Sequence, residues 1–282
     1  MDFALHLTAE IDRNVSAALI EDIGGGDLTA LLTPAGHLSI GTVISRQEAV
    51  LAGQDWFDAC FLQLDPDAEI EWTANDGDSI APGQTLCEIR ADTRALLTAE
   101  RAALNFLQLL SGTATTTRRY VDAVVGTSAR IVDTRKTLPG LRLAQKYAVR
   151  CGGGTNHRLG LYDGILIKEN HIIAAGGIPE ALAEANRLSH GGAFVQIEVE
   201  TLEQLEQALQ CGATMVLLDN MDLTQMRAAV DINDGRAELE ASGGIRLATV
   251  RAIAETGVDR ISIGCLTKDL RAVDLSLRHT EQ

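Results

Sequence analysis

ARIVDT (129–134) and GILIKEN (164–170) open a series of six short apolar segments, each followed by a stretch with helical periodicity. The series continues with FVQIEVE (194–200), TMVLLDN (214–220), AELEASGG (237–244) and RISIGCL (260–266). This alternation predicts a parallel sheet, because parallel strands need a crossover helix between them. Six units are fewer than the eight of a closed barrel, so we expect either an incomplete α/β barrel or an open doubly wound sheet.

The sequence before residue 113 has a different pattern and predicts a separate domain. Residues 8–20 are typical of an amphipathic helix, and short alternating apolar runs within residues 40–53 and 68–76 predict antiparallel strands. A long helix is expected from about residue 94 to about residue 125, interrupted near Gly112. We therefore predict an N-terminal α+β sandwich domain over residues 1–112, an α/β-barrel domain over residues 113–267, and a C-terminal helix at 268–282 that joins the first domain.

Composition and charge exclude several classes of protein. Hydrophobic residues make up 46% of the 282 residues and charged residues 22%, as in folded globular proteins. Neither a signal peptide nor an apolar run of about 20 residues is present, so we expect a cytoplasmic protein that does not span a membrane. The net charge of −15 argues against binding to nucleic acid or anionic lipid. The five cysteines are scattered without a C-x-x-C pair, which predicts buried reduced thiols rather than disulfides or a zinc site.

Residues 135–168 depart from this overall acidity. The segment has one acid, Asp163, against seven basic residues, which are Arg135, Lys136, Arg142, Lys146, Arg150, Arg158 and Lys168. The spacing of four among Arg142, Lys146 and Arg150 is that of an exposed helix face. Arg135, Arg158 and Lys168 instead flank turns or end an apolar segment, so we interpret them as ligands of an anion.

Polar residues or glycines stand where each of the six predicted strands ends. They are Asp133, Arg135, Lys136, Lys168, Glu169, Asn170, Glu198, Glu200, Asp219, Asn220, Ser242, Gly243, Gly244 and Gly264, counting the glycines for their exposed backbone groups. Parallel strands bring their carboxyl ends to one rim, which is where α/β barrels carry their chemistry. A single residue of this kind is common at the end of a strand and needs no function. Polar residues or glycines at all six ends together predict a single site.

Two features of this rim suggest specific ligands. Glu198 and Asp219 suit a hard cation such as Mg²⁺, although a solvated or salt-bridged pair of acids is an equally good interpretation. The run ASGGI (241–245) and the turn at Gly264 place flexible backbone beside helix starts, which favours a phosphate site. The loop CGGGTNHR (151–158) offers donors from His157 and Arg158, but it fits no established phosphate motif and alone would be a surface loop.

Seven stretches in the same order strongly resemble the quinolinate phosphoribosyltransferase family. They are EDIGGGDLTA (21–30), TAERAALNFLQLLSG (98–112), DTRKTLPGLR (133–142), KYAVRCGGGTNHRLGLYDGILIKENH (146–171), IEVE (197–200), LLDNM (217–221) and EASGGI (240–245). The resemblance implies the transfer of a phosphoribosyl group from phosphoribosyl pyrophosphate (PRPP) to quinolinate, with release of pyrophosphate and CO₂ and with Mg²⁺ as cofactor. It also implies a homodimer or hexamer in which Arg101 enters the neighbouring subunit's site.

The resemblance further implies roles for individual residues. Lys136, Glu198 and Asp219 would be catalytic, and the two acids would also bind the metal. Arg135, Lys136, His157, Arg158 and Lys168 match residues around the dicarboxylate and the leaving group. Glu198 and Asp219 match acids at the ribose, and Ser242, Gly243, Gly244 and Gly264 match the loops that hold the 5′-phosphate.

Two other functions are compatible with parts of this pattern. Lys168 ends an apolar strand, as lysines that form a Schiff base with a carbonyl substrate do. A non-catalytic protein that binds an oxyanion would also use clustered basic residues. Neither alternative accounts for the arginines and the paired acids together with the intact TNHR (155–158) and KYAVRCGGG (146–154) segments.

Overall fold

The computed structural model describes residues 3–189 and 193–281, and the chain divides into two compact units. The first unit contains Met1–Arg118, Thr137–Gly153 and Thr267–Gln282, and the second contains Arg119–Lys136 and Gly154–Leu266. Each unit is therefore built from more than one segment of the chain. Residues 137–153, which we had assigned to the barrel domain, lie in the first unit.

The helices and strands follow one another in two series. Up to residue 151 they are α1 (Phe3–Ile23), β1 (Leu38–Ser45), β2 (Ala49–Val50), α2 (Gln54–Leu62), β3 (Glu69–Trp72), β4 (Ser79–Ile80), β5 (Thr85–Asp92), α3 (Thr93–Ala123), β6 (Arg130–Val132) and α4 (Arg142–Cys151). The remainder are β7 (Gly164–Ile167), α5 (Glu169–Ala175), α6 (Ile178–Leu188), β8 (Phe194–Val199), α7 (Leu202–Gln210), β9 (Met215–Asp219), α8 (Leu223–Asn233), β10 (Glu238–Ser242), α9 (Leu247–Ala254), β11 (Arg260–Ser262), α10 (Cys265–Lys268) and β12 (Leu275–Glu281). A short 3₁₀ helix spans Ala30–Leu32.

The first unit contains a four-stranded antiparallel sheet in the order β12-β1-β5-β3 and a short β2-β4 pair. The alternating pattern of β1 gives it one buried face, and Val43 on that face is fully buried. Trp56, Phe57 and Phe61 of α2 are also fully buried and belong to the same apolar core. The sequence therefore predicted the α+β character of this unit from its alternating runs.

The predicted C-terminal helix is wrong, because residues 275–281 form the strand β12. Leu275 and Leu277 are two residues apart, so they lie on the same face of a strand, and both belong to or pack on the apolar core. The strand pairs antiparallel with β1, with Val43 opposite Leu277. The segment completes the sheet of the first unit, which a helix could not do.

The expected interruption of the long helix near Gly112 is also wrong, since α3 runs unbroken from Thr93 to Ala123. A Cβ atom built on Gly112 would lie 2.3 Å from the carbonyl oxygen of Arg271. Gly112 thus allows a close approach of two backbones rather than ending the helix. The neighbouring Gln108 supports the same contact, because its carbonyl accepts the Val273 N–H at 3.0 Å.

We expect Gly112→Ala to lower the free energy of unfolding by about 1–3 kcal/mol, the usual cost of forcing atoms into a packed site. The Gly112 backbone is not left-handed, so the cost comes from the clash alone. Gly25→Ala is the matched control, because nothing lies within 4 Å of a Cβ at Gly25. Equal denaturation midpoints for the two variants would contradict the role assigned to Gly112.

The helix α4 confirms the helical spacing of Arg142, Lys146 and Arg150 but not their common exposure. Lys146 is fully buried, whereas Arg150 is exposed. A charged group is rarely buried in this way without partners, and Lys146 does have them. The interpretation of this face as fully solvated is therefore wrong at its centre.

The second unit is an incomplete, six-stranded α/β barrel. Its strands are parallel and follow the order β6-β11-β10-β9-β8-β7. The first strand of the unit lies beside the last, as in a barrel, whereas a doubly wound sheet places its first strand in the interior. The sheet stays open between β6 and β7, which are its two edges.

Two further expectations concern the whole chain. Among the described residues, no helix is both long and apolar enough to span a bilayer. All five cysteines are free, as expected, but only Cys60 and Cys87 are buried. The other three are partly exposed.

Candidate active site

Strand register places the polar residues of the second unit on one face of its sheet. Glu198 pairs with Leu217, Leu217 with Glu240, and Glu240 with Arg260 along neighbouring strands. Paired residues in adjacent strands point to the same side, and so do residues two apart in one strand. Lys168, Glu198, Asp219 and Ser242 therefore share this inner face, near the carboxyl ends of β7, β8, β9 and β10.

Arg135 and Arg158 form the most unusual pair of charges at this rim. The Nε atom of Arg135 is buried and, within the described residues, has no hydrogen-bond partner. Burial lowers the pKa of the Arg158 guanidinium, the charge of Arg135 lowers it further, and Asp163 opposes the shift. Two neighbouring guanidinium groups that repel each other, with Arg158 partly buried, make a site prepared for an anion.

The loop that carries Arg158 is tied down at both ends. Asp133, which is fully buried after β6, accepts the His157 N–H at 2.8 Å and the Asn156 side-chain amide at 2.6 Å. Arg158 Nη1 donates to the Gly164 carbonyl at 2.9 Å. Asp163 accepts the N–H groups of Leu159 and Gly160 at 2.7 and 2.8 Å. The TNHR segment is therefore an ordered part of the rim, not a flexible surface loop.

Lys168 and Glu198 meet directly across two neighbouring strands. Lys168 Nζ lies 3.1 Å from Glu198 Oε2, and the lysine side chain is 51% exposed while the glutamate side chain is 16% exposed. Of the two acids that the sequence analysis interpreted either as metal ligands or as solvated or salt-bridged residues, Glu198 is salt-bridged. Its ammonium partner nevertheless remains accessible to a ligand at the rim.

Asp219 and the glycine loop form a second cluster. Asn220 has a left-handed backbone with φ of 54°, donates its side-chain amide to Asp219 Oδ2 at 2.9 Å, and donates its N–H to the Ser242 carbonyl at 3.0 Å. Gly243 has φ of 103°, and a Cβ there would lie 2.2 Å from Asn220 Oδ1. The close packing of Asn220 on Gly243 leaves Gly243 and Gly244 exposed, with flexible backbone available to a ligand.

The remaining predicted site residues lie in different surroundings. Lys136 follows Arg135 and is exposed, and Gly264 lies two residues beyond the end of β11 and is half-buried. Arg101 is exposed on α3 in the first unit. His157 is buried, with 8% of its surface exposed, and both ring nitrogens are engaged, by Gln196 and by the Arg158 N–H.

A buried polar network beneath the rim was missed by the sequence analysis. It consists of Gln196, Glu240, Arg260 and Ser262, each at least nine-tenths buried. A signal was present, because QIE in β8, ELEAS in β10 and RIS in β11 alternate polar and apolar residues. Parallel strands covered on both faces are normally apolar throughout, so this alternation indicated a polar barrel interior.

The acids at the rim were also assessed as metal ligands. Among residues 3–189 and 193–281, no group of three or more His, Cys, Asp or Glu side chains is arranged to hold a metal ion. Glu198 and Asp219 offer carboxylate oxygens on one face, which fits only an ion that takes most of its ligands from water and phosphate oxygens. That is the usual environment of Mg²⁺ beside a phosphorylated substrate.

Family models match nearly all of the chain. Residues 27–111 match the model described as the N-terminal domain of quinolinate phosphoribosyl transferase, and residues 113–278 match its C-terminal domain. The chain belongs to the quinolinate phosphoribosyltransferase family. The two family models meet near residue 112. The second compact unit begins slightly later, at Arg119.

Individual relatives agree with this assignment over most of their lengths. A carboxylating nicotinate-nucleotide pyrophosphorylase of Mycobacterium leprae (strain TN) is 44% identical over 273 residues, which cover 93% of this chain and 95% of the relative. A probable one of Bacillus subtilis (strain 168) is 40% identical over 268 residues, or 95% and 93% of the two chains. The structure of the nicotinate-nucleotide pyrophosphorylase from Francisella tularensis has a TM-score of 0.93 and 44% identity, covering 96% of each chain.

Proposed function

We propose that this chain catalyses the family reaction at the rim of its open barrel, with Arg135 and Arg158 as the dicarboxylate site. The reaction converts quinolinate and PRPP to nicotinate mononucleotide, pyrophosphate and CO₂, a step of NAD biosynthesis. The proposal rests on the buried Nε of Arg135, which has no hydrogen-bond partner among the described residues, beside the partly buried guanidinium of Arg158. Quinolinate has two adjacent carboxylates, and guanidinium groups bind planar carboxylates through paired hydrogen bonds.

The acids of the inner face suit the transfer step. Bond breaking at the anomeric carbon develops positive charge on the ribose, as in glycosidic cleavage. Carboxylates near that carbon lower the energy of the charge, and we assign this role to Glu198 and Asp219. Lys168 holds Glu198 at 3.1 Å and so limits the orientations available to that carboxylate.

The phosphate groups have separate places on the rim. Gly243 and Gly244 expose backbone N–H groups next to Ser242, which supports this loop and the Gly264 turn as the site of the 5′-phosphate. Lys136 is exposed beside Arg135, where an ammonium group would offset the charge that leaves on pyrophosphate. Mg²⁺, held in part by Glu198 and Asp219, would neutralise pyrophosphate oxygens.

We expect Gly243→Ala to raise the KM for PRPP roughly five- to thirtyfold, equivalent to about 1–2 kcal/mol for a left-handed residue with a Cβ. The added methyl group meets Asn220 Oδ1 and must displace the loop. Gly235→Ala is the control, because Gly235 is also left-handed, with φ of 72°, but nothing lies within 4 Å of its Cβ. Steady-state kinetics with varied PRPP check the difference, and an unchanged KM would separate this loop from the phosphate site.

Decarboxylation needs no further group from the protein. Once the ring nitrogen attacks the anomeric carbon and pyrophosphate leaves, the pyridine ring becomes cationic. The adjacent carboxylate then departs as CO₂, the electron pair of the broken bond stays on the ring carbon, and a proton takes its place. The ring cation stabilises that electron pair, so the chain has only to bind and orient the intermediate.

The assembly and location of the enzyme are part of the proposal. Arg101 is exposed on α3, which leaves its guanidinium available to a neighbouring subunit. We therefore propose a homodimer, or a hexamer built from dimers, in which Arg101 enters the neighbour's site. Cytoplasmic location and dependence on Mg²⁺ stay predictions.

A Schiff-base function for Lys168 is less compatible with the geometry. Lysines of that kind are activated by desolvation or by a neighbouring cation. Lys168 instead pairs with the carboxylate of Glu198 and is half exposed. Borohydride trapping with a carbonyl substrate distinguishes this alternative from phosphoribosyl transfer.

The central experiment is to incubate the purified protein with quinolinate, PRPP and Mg²⁺ and to measure CO₂ and nucleotide together. Equal amounts of CO₂ and nicotinate mononucleotide are expected, with neither formed when PRPP is omitted. Binding of quinolinate without turnover would support the oxyanion-binding alternative. Nucleotide formation without CO₂ would refute the decarboxylating reaction.

A further inference from the structure

A continuous chain of hydrogen bonds crosses the barrel interior from the rim to Glu240. The Arg158 N–H lies 2.7 Å from His157 Nδ1, and His157 Nε2 lies 2.8 Å from Gln196 Oε1. Gln196 Nε2 lies 3.2 Å from Glu240 Oε2. Glu240 also accepts bonds from Arg260 Nε, at 2.8 Å, and from the Ser262 hydroxyl. His157 Nε2 also lies 3.7 Å from Glu240 Oε1, which is longer than a hydrogen bond, so Gln196 bridges the two by shorter contacts.

The chemistry of the two ends determines the direction of every bond between them. A carboxylate accepts hydrogen bonds, so Gln196 must present its NH₂ group to Glu240 and its oxygen to His157. A backbone N–H only donates, so His157 Nδ1 must be an acceptor. The ring proton of the neutral imidazole is therefore on Nε2 and faces the Gln196 oxygen. Each hydrogen bond in the chain donates towards Glu240.

This arrangement bears on Arg158 through its backbone. The bond from the Arg158 N–H to His157 Nδ1 exists only while Nδ1 carries no proton. The other described anchor of Arg158 is the bond from Nη1 to the Gly164 carbonyl. Because Arg135 repels Arg158, the position of the second guanidinium depends on how firmly these anchors hold it.

We infer that Gln196 is a positioning residue, which holds His157 in the Nε2–H tautomer and thereby places Arg158 for the dicarboxylate. The inference rests on the proposed function, since it assigns the effect to quinolinate binding. Gln196 is fully buried and bonds to His157, so its effect on Arg158 passes through that histidine and not through contact with a ligand. The tautomer of a histidine is commonly set by the partner of its second nitrogen in this way.

The first test is the tautomer of His157 in the ligand-free wild-type protein. Two-bond ¹⁵N–¹H correlation spectra distinguish Nε2–H from Nδ1–H imidazole, and His157→Gln assigns the signal among the six histidines. We expect the wild type to show the Nε2–H form alone. In Gln196→Met we expect that this form is no longer the only one. An Nδ1–H wild type would overturn the inference even if every variant failed to fold.

The second test separates the two substrates. Gln196→Met keeps the length of the side chain but removes the acceptor that lies 2.8 Å from His157 Nε2, so the KM for quinolinate should rise roughly tenfold. The KM for PRPP should stay within about twofold, since the phosphate loops are untouched. Asn233→Leu is the matched control, because Asn233 is another buried amide with two bonds to Ala237 but lies far along the chain from His157. An equal rise in both KM values, or the same rise in the control, would show a general loss of structure.

The third test asks whether Gln196 acts through Arg158. In an Arg158→Ala background, Gln196→Met should change the KM for quinolinate by less than about twofold, because the group that it positions is absent. A full additional tenfold effect would mean independent action and would refute the inference. If the wild type does not consume quinolinate at all, the proposed function fails, while the tautomer measurement remains valid on the same sample.

Discussion

Replacing Arg135 with alanine should lower kcat/KM for quinolinate at least about 30-fold while leaving the protein as stable as the wild type or slightly more stable. The loss corresponds to about 2 kcal/mol or more, the scale for removing one partner of a buried, hydrogen-bonded charge pair. Stability should not fall, because the buried Nε of Arg135 has no partner to lose among the described residues. Its removal also relieves the repulsion that acts on Arg158.

The measurement combines steady-state kinetics with thermal unfolding of the same preparations. Arg187→Ala is the control, since Arg187 is exposed and its salt bridge among the described residues is with Glu184 on the same helix. It should leave both quantities unchanged, because exposed pairs of this kind contribute little. Near-wild-type kcat/KM for Arg135→Ala would remove the arginine pair from the mechanism, and a large fall in its unfolding temperature would make Arg135 a structural residue.

Replacing Arg260 with alanine should lower the free energy of unfolding by about 3–5 kcal/mol, the cost of leaving a buried charge without its partner. Arg260 Nε lies 2.8 Å from Glu240 Oε2, and Glu240 is fully buried. The Ser262 hydroxyl and the Gln196 amide would still bond to Glu240, but neither carries a charge. The cost is therefore that of a desolvated carboxylate held by neutral donors alone.

Chemical denaturation measures this effect, and Arg130→Ala provides the comparison. Arg130 pairs with Glu238, as Arg260 also does, but the Arg130 side chain is 52% exposed. Its removal should cost about 1 kcal/mol or less. Similar values for the two variants would show that the interior of the barrel is wetter than its burial indicates.

Much of the fold followed from periodicity, and the exceptions have identifiable physical causes. Each of the six barrel strands carried an apolar run that ends in a polar residue or a glycine, so both their number and their common rim were predictable. The end of the chain was not, because LSLRHTE (275–281) becomes a strand only through its pairing with β1. A sequence pattern does not record a partner so distant in the chain. The expected interruption of the helix at Gly112 was wrong for a similar reason, since this glycine allows the close approach of the backbone at Arg271.

The candidate site shows the same division. Side chains at strand ends, such as Glu198 and Asp219, were identifiable because strand direction alone brings them to one rim. His157 and Gln196 were not assigned their contacts, because those depend on register between strands that are remote in sequence. The prediction of an exposed side chain at Lys146, made from its charge and helical spacing, was also wrong, because Lys146 is fully buried. Local pattern therefore locates the chemistry, while pairing and burial decide which residue contacts the ligand and which one supports it.

The pairing of β12 with β1 has a consequence for how the protein is made. During synthesis the chain leaves the ribosome from its N-terminus, so β1 emerges first and β12 becomes available only after residues 46–274 have followed. The barrel segments between them can pair with their own neighbours during that interval. The sheet of the first unit is therefore completed only after β12 has been synthesised. Nascent chains arrested before residue 275 would expose an unpaired edge of β1, which can bind chaperones or aggregate.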